Sequence, residues 1–171
     1  MDGNFLQAVS VIEGTAARWV NMAQTVSVDL FSRKPAPKDW SALETLVHIL
    51  DTEDIFPTRI KAFLAGQNLP AFDPDSQGTK LSGTISPAAL AAEFAQKRAS
   101  NLPTLKMLTP ADLLKTSIHS ELGKVTLEEM ISEWAAHDLN HTMQAERALM
   151  QPFIDSCGPW IVYFKDHKFS E

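Results

Sequence analysis

His137 and His141 are the residues in this 171-residue chain whose type and spacing first suggest chemistry. Helical steps through Met130, Trp134, His137, His141, Ala145 and Ala148 run four, three, four, four and three, which traces one face of a helix with 3.6 residues per turn. The two imidazoles then stack one turn apart on the inward stripe. Both can reach a single divalent ion, and neutral imidazole is the commonest protein ligand for such ions. The competing reading is a pair of core histidines, each of which needs its own buried hydrogen-bond partner. A third ligand separates the two readings, and His48 is the candidate. It lies within the stripe Leu43, Leu46, Val47 and Leu50 of an earlier helix, with Glu44 and Asp51 about one turn to either side. A carboxylate one turn from a ligating histidine can orient the ring through its other N–H. Glu44 has a capping role, so Asp51 is the expected orienting residue.

These side chains need helices to position them. Phe5, Val9, Ile12, Ala16, Trp19, Val20 and Ala23 recur at steps of three and four, predicting a first amphipathic helix over about residues 4 to 29. Pro35 and Pro37 close that region. Ser41 and Glu44 have the S-x-x-E spacing of a capping box, so the helix carrying His48 starts near residue 42. It is expected to kink at Pro57 and continue to about Ala65, with Gly66 as the stop. Residues 66 to 85, rich in proline and glycine, read as a long loop of the kind that covers sites. Ser86 and Pro87 then open a third helix through Leu90, Phe94, Leu102 and Leu105, with Thr109 and Pro110 opening a short further turn. Ser117 to Val125 reads as an extended or hairpin-like connection containing His119. Thr126 and Glu129 form a second capping box that starts the helix carrying His137 and His141. Past Met150, the run Trp160 to Phe164 reads as an apolar tail packed across the bundle, and His167 sits in a charged, solvated end.

Composition bounds the alternatives. A chain with 44% hydrophobic residues is long enough for one domain with a sizeable core, spanning residues 1 to 171. The net charge of −6, without a basic stripe, argues against nucleic acid as a partner. The start of the chain lacks a signal-like segment and no stretch approaches the ~20 apolar residues of a membrane span, so the expected location is the cytoplasm, away from membranes. Cys157 is the single cysteine and has no histidine beside it, so it is neither half of an intramolecular disulfide nor an activated nucleophile. Exposed helix faces and the apolar tail would support a homodimer, although no heptad seam specifies one.

Long amphipathic helices with little strand signal predict an all-α helix bundle, a fold whose facing helices often project ligands into the core. The motifs Asp39-Trp40-Ser41-x-x-Glu44-x-x-x-His48-x-x-Asp51-x-Glu53, Gly123-Lys124-Val125-Thr126-Leu127, and Glu133-Trp134-x-x-His137-Asp138-x-x-His141-x-x-Gln144 resemble the DinB-like (YfiT-like) superfamily, together with Gly158-Pro159-Trp160. The resemblance spans nearly the whole chain. It implies a four-helix bundle with up-down-down-up connectivity and a divalent metal held by His48, His137 and His141. Family members with assigned activities include thiol S-transferases that use bacillithiol, mycothiol or glutathione, a maleylpyruvate isomerase and metal-dependent hydrolases. The resemblance therefore implies a small-molecule substrate and, for the transferase type, a low-molecular-weight thiol cosubstrate.

Three neutral imidazoles leave a divalent ion its full charge and an open position, the pattern of catalytic and not closed structural sites. Zinc is the first expectation and nickel the second, since imidazole suits both. The spacing His137-x-x-x-His141 also matches zincin proteases, but Asp138 stands where their general-base glutamate belongs. A non-catalytic metal-binding or stress-related module is the main alternative to an enzyme.

Overall fold

The computed structural model describes residues 3–70 and 86–169. Helix α1 spans Gly3–Thr25 and the short α2 spans Val28–Ser32. The expected single helix to about residue 29 is thus interrupted, because Ser27 turns extended and its side chain accepts the Leu30 amide to begin α2. Helix α3 spans Ala42–Ala65, and its Ser41/Glu44 capping box is formed in both directions. Pro57 stays inside α3, and the helix ends where Gly66 takes φ 66°, the left-handed conformation that glycine adopts without a Cβ penalty.

Helix α4 spans Pro87–Lys106 with Ser86 as its cap, and α5 is the single turn Pro110–Leu113. Strands β1 (Thr116–His119) and β2 (Gly123–Thr126) form the expected antiparallel hairpin, with Thr116 opposite Thr126. Helix α6 then runs over Leu127–Ser156 from the Thr126/Glu129 capping box. It passes through Pro152, since a proline forfeits only its own amide bond and one turn's fit. The long loop expected over 66 to 85 falls mostly on residues 71–85, which lie outside the described residues.

Two apolar clusters give the helix directions. One gathers Phe5, Ile12, Phe56, Phe63, Leu105, Met130 and Trp134; the other gathers Trp19, Met22, Leu43, Leu46, Ala91, Phe94, Ala145 and Leu149. The first therefore holds the start of α1, the end of α3, the end of α4 and the start of α6, and the second holds the opposite ends. The connectivity is up-down-down-up. Helices α1 and α3 each pack against both α4 and α6, so they occupy one diagonal of the bundle.

A polar layer separates the two clusters. Arg98 of α4 is buried there and donates to Glu53 of α3, Asp138 of α6 and the Ile12 carbonyl of α1, so that all four long helices meet on one guanidinium. In the same layer Trp19 Nε1 donates to Thr142, whose hydroxyl in turn donates to the Asp138 carbonyl.

The end of the chain departs from expectation. After Gly158, at φ 57°, two 3-10 turns cover Gly158–Tyr163 and Lys165–His167, and Trp160, Val162 and Tyr163 are exposed. Of the apolar run only Ile161 and Phe164 are half-buried, and polar contacts tie the tail to α6. Arg147 donates to the carbonyls of His167 and Lys168 and stacks on Phe169, while Gln151 donates to the His167 carbonyl. Among the described residues no helix is long and apolar enough to cross a membrane.

Candidate metal centre

His48 enters from α3, and His137 and His141 enter from successive turns of α6, at the level of the polar layer. One ring nitrogen from each lies within 4.8 Å of the others. His48 Nε2 and His137 Nε2 are 3.1 Å apart. Nitrogens bound to one tetrahedral ion at about 2.0–2.1 Å stand about 3.3 Å from each other, close to the His48–His137 separation, so the cluster has the dimensions of a single-ion site. The ring centroids, 4.3 to 5.2 Å apart, are as close as this requires. No carboxylate or thiol joins the cluster among the described residues.

The surroundings hold the rings from several sides. Trp40, which precedes the α3 cap, lies 5.1 Å from His48 and stacks over His141 at 6.3 Å and 20°. Phe56 stacks on Trp134 at 4.5 Å and presents its edge to His137 at 5.7 Å. His141 Nδ1 is 2.8 Å from Gln144 Oε1. By contrast, Nδ1 of both His48 and His137 is buried with no hydrogen-bond partner. If His48 Nε2 donates to His137 Nε2, His137 carries its proton on the orphaned Nδ1; the reverse donation orphans the Nδ1–H of His48. Either arrangement leaves one buried donor unmet, a cost of about 1–3 kcal/mol retained where the three rings meet.

Asp51 does not orient His48. Nδ1 of His48 has no hydrogen-bond partner, and Asp51 itself lies near Lys97 and Glu93 of α4. Burial pushes its carboxyl above the usual range, Lys97 opposes this, and Asp54 and Glu93 add to it. Arg98 had no role assigned from the sequence, and Trp40, Glu53, Asp138 and Gln144 stood in its motifs without a role at the site. Arg98 continues the buried stripe of Ala91 and Phe94 on α4, and Asp138 lies on a second buried stripe of α6 with Ile131, Ala135, Thr142 and Ala145. Those stripes were the available signal.

Burial governs the electrostatics. It holds His48 down to about 4, helped by His141, and His137 down to about 3, helped by His141, His48 and Arg98. His141 is lowered by burial as well, with Gln144 opposing. All three rings are neutral at pH 7 and have lone pairs to offer. In the metal-free protein this has a definite sign. The unfolded chain takes up protons near pH 6.5 while the folded rings refuse them, so stability is full above about pH 6.5 and is lost as pH falls toward 3. Urea midpoints between pH 7 and 4 should fall, and should fall less in His137→Gln; a flat profile would contradict the burial of these rings.

Among the described residues, two clefts border α6. One of about 600 Å³ lies between α6 and the C-terminal turns, bounded by Asp39, Gln144, Arg147, His167 and Phe169. The other, of about 420 Å³, lies between α3, α6 and the hairpin, bounded by Arg59, His119, Leu122, Met130 and Glu133. His119 Nδ1 accepts the amides of Glu121 and Leu122 and stays apart from the histidine cluster.

A family model of the DinB superfamily matches residues 12–145. The chain belongs to the DinB superfamily. Its fold is similar to that of YfiT from Bacillus subtilis, at 15% identity and a TM-score of 0.78, with 90% of each chain covered. That protein is described as "a probable metal-dependent hydrolase with an unusual four-helix bundle topology". A DinB-like protein of Bacillus subtilis, YjoA, is 25% identical with a TM-score of 0.59, covering 85% of this chain and 91% of that one. A mycothiol-dependent maleylpyruvate isomerase shares the fold at 11% identity and a TM-score of 0.64, covering 85% of this chain and 63% of that one. No curated protein matches the sequence at a significant level. The DinB resemblance read from the histidine motifs is borne out, and so is the four-helix bundle.

Proposed function

We propose that this DinB-superfamily protein is a metal-dependent enzyme that activates a small thiol or water, of the thiol S-transferase or hydrolase type. The observation that carries the reading is the convergence of His48, His137 and His141 with no fourth protein ligand among the described residues. YfiT and the mycothiol-dependent isomerase support it as relatives in fold. His48, His137 and His141 would hold the ion, zinc first and nickel second. When bound, such an ion lowers the pKa of a thiol or water so that the anion forms near neutral pH.

The chain's own residues supply the rest. Neutral rings present lone pairs without adding negative charge, and Trp40 and Phe56 flank the cluster; the 600 Å³ cleft, lined by Gln144 and by none of the three histidines, is large enough for a small-molecule substrate. The nucleophile comes from the cosubstrate or solvent, because the single thiol is remote. Cys157 lies sixteen residues beyond His141 on the α6 axis, about 24 Å away, and its Sγ donates to the Ile154 carbonyl.

Turnover of a thiol with an electrophilic partner, or hydrolysis of a small ester or amide, should be abolished by chelation and restored by zinc or nickel. Cys157→Ser should leave the rate unchanged. Full activity after verified metal removal would overturn the reading. A bound metal with no turnover across thiol and hydrolase panels would favour a non-catalytic metal-binding module.

A further inference from the structure

His141 differs from the other two rings in how it is held. Its Nδ1 has an acceptor, Gln144 Oε1 at 2.8 Å, whereas Nδ1 of His48 and of His137 has none. A carboxamide oxygen only accepts, so the His141 proton belongs on Nδ1 and Nε2 is left as a lone pair. The i, i+3 spacing on α6 is one at which helix side chains meet, and the near-parallel indole of Trp40 limits tilting of the ring. His141 is therefore fixed in tautomer and in plane before any ligand arrives. For hydrogen bonding among the described residues, His48 and His137 have only each other.

The acceptor is also neutral. Ligating histidines are often oriented by a carboxylate, which raises their basicity and adds negative charge beside the ion. The acids near the three rings in sequence are engaged elsewhere: Glu44 in its cap, Asp51 toward α4, Glu53 and Asp138 with Arg98, Glu133 beside Arg59 and Glu146 with Arg18. An amide at residue 144 thus orients without reducing the positive charge available to an anionic substrate atom.

We propose that Gln144 is a positioning residue that sets His141 as the preformed ligand of the centre and, being uncharged, tunes the site toward anion-forming substrates such as thiols. The proposal rests on the metal-binding reading above, but half of it is visible without metal. In the metal-free protein, imidazole ¹⁵N shifts should report His141 as the Nδ1–H tautomer, and Gln144→Leu should convert it to a mixture. With zinc, calorimetry should give an affinity about 10–100-fold lower for Gln144→Leu, as found for lost outer partners of metal ligands. Gln144→Glu restores the acceptor and should bind at least as tightly as wild type. Gln144→Asn keeps the amide but is a methylene too short, and should resemble Gln144→Leu; it stands in if the leucine variant does not fold.

A wild-type His141 carrying its proton on Nε2 would overturn the proposal. So would wild-type zinc affinity in Gln144→Leu, or a Gln144→Glu variant as weak as the leucine one. Failure of the wild-type protein to take up zinc or nickel, with the tautomer as expected, would instead remove the metal reading and leave the hold of Gln144 on His141 standing.

Discussion

Arg98→Met is expected to cost about 3–5 kcal/mol of folding stability, the loss typical when one partner of a buried ion pair is removed. Arg98 and its two carboxylate partners are at most 1% exposed, and the guanidinium satisfies Glu53 at 2.6 and 2.8 Å, Asp138 at 2.6 and 3.1 Å, and the Ile12 carbonyl. Methionine fills the volume between Phe94 and Trp134, over which the guanidinium now lies, so packing alone changes little. The cost comes from the charges left behind. Burial already pushes both carboxyls above their usual range, with Arg98 opposing that rise. Removing Arg98 strands them without the cation that now pairs with both. Glu53→Gln and Asp138→Asn placed together with Arg98→Met should therefore recover part of the loss, because neutral amides tolerate burial better than unpaired carboxylates. Urea denaturation of the single and triple variants checks this. A single-variant loss below about 1 kcal/mol, in the range of an exposed ion pair, would refute the central role assigned to the guanidinium.

That layer also marks where reading the sequence stops. The helix starts at Ala42, Pro87 and Leu127 were legible because capping is local: Ser41, Ser86 and Thr126 meet their own third amide in the structure as their spacing implies. The convergence of His48, His137 and His141 was legible for a related reason, since each lies on an inward stripe and a bundle brings inward stripes together. Arg98 sits on such a stripe as well, but a single arginine there has no readable partner until the fold sets Glu53 and Asp138 beside it from two other helices. Asp51 failed by its partner and not by its spacing: three residues is also the step from His141 to Gln144, but Asp51 lies near Lys97 of α4 and leaves His48 Nδ1 unpartnered. Ser27 and the tail after Cys157 were misread because an apolar period does not reveal where a cap or a left-handed glycine will break it. Gln144 stood in the quoted motif without a role, which only its distance to His141 supplies.

His48→Ala should lower zinc affinity by more than about 100-fold, while His167→Ala should leave it unchanged. Loss of an outer partner of a metal-bound histidine is worth about 10–100-fold, so loss of a ligand itself must exceed that range. His48 is the only one of the three contributed by α3, and it is 3% exposed, with its Nε2 turned to His137. Without it, the two α6 rings remain one turn apart and no donor faces them from the opposing helix among the described residues. His167 is the informative control because it also has structural contacts. Those contacts use its backbone carbonyl, which accepts from Arg147 and Gln151, and alanine keeps that carbonyl. The same contrast should appear in folding stability. A ligand at 100 times its dissociation constant stabilises the native state by about 2.7 kcal/mol, so zinc should raise the melting temperature of wild type and His167→Ala but not of His48→Ala at the same concentration. Equal zinc responses in the two variants, or a larger loss for His167→Ala, would overturn the placement of the centre between α3 and α6. Retained folding of metal-free His48→Ala, checked by circular dichroism, ties any loss to the ligand and not to the helix that carries it.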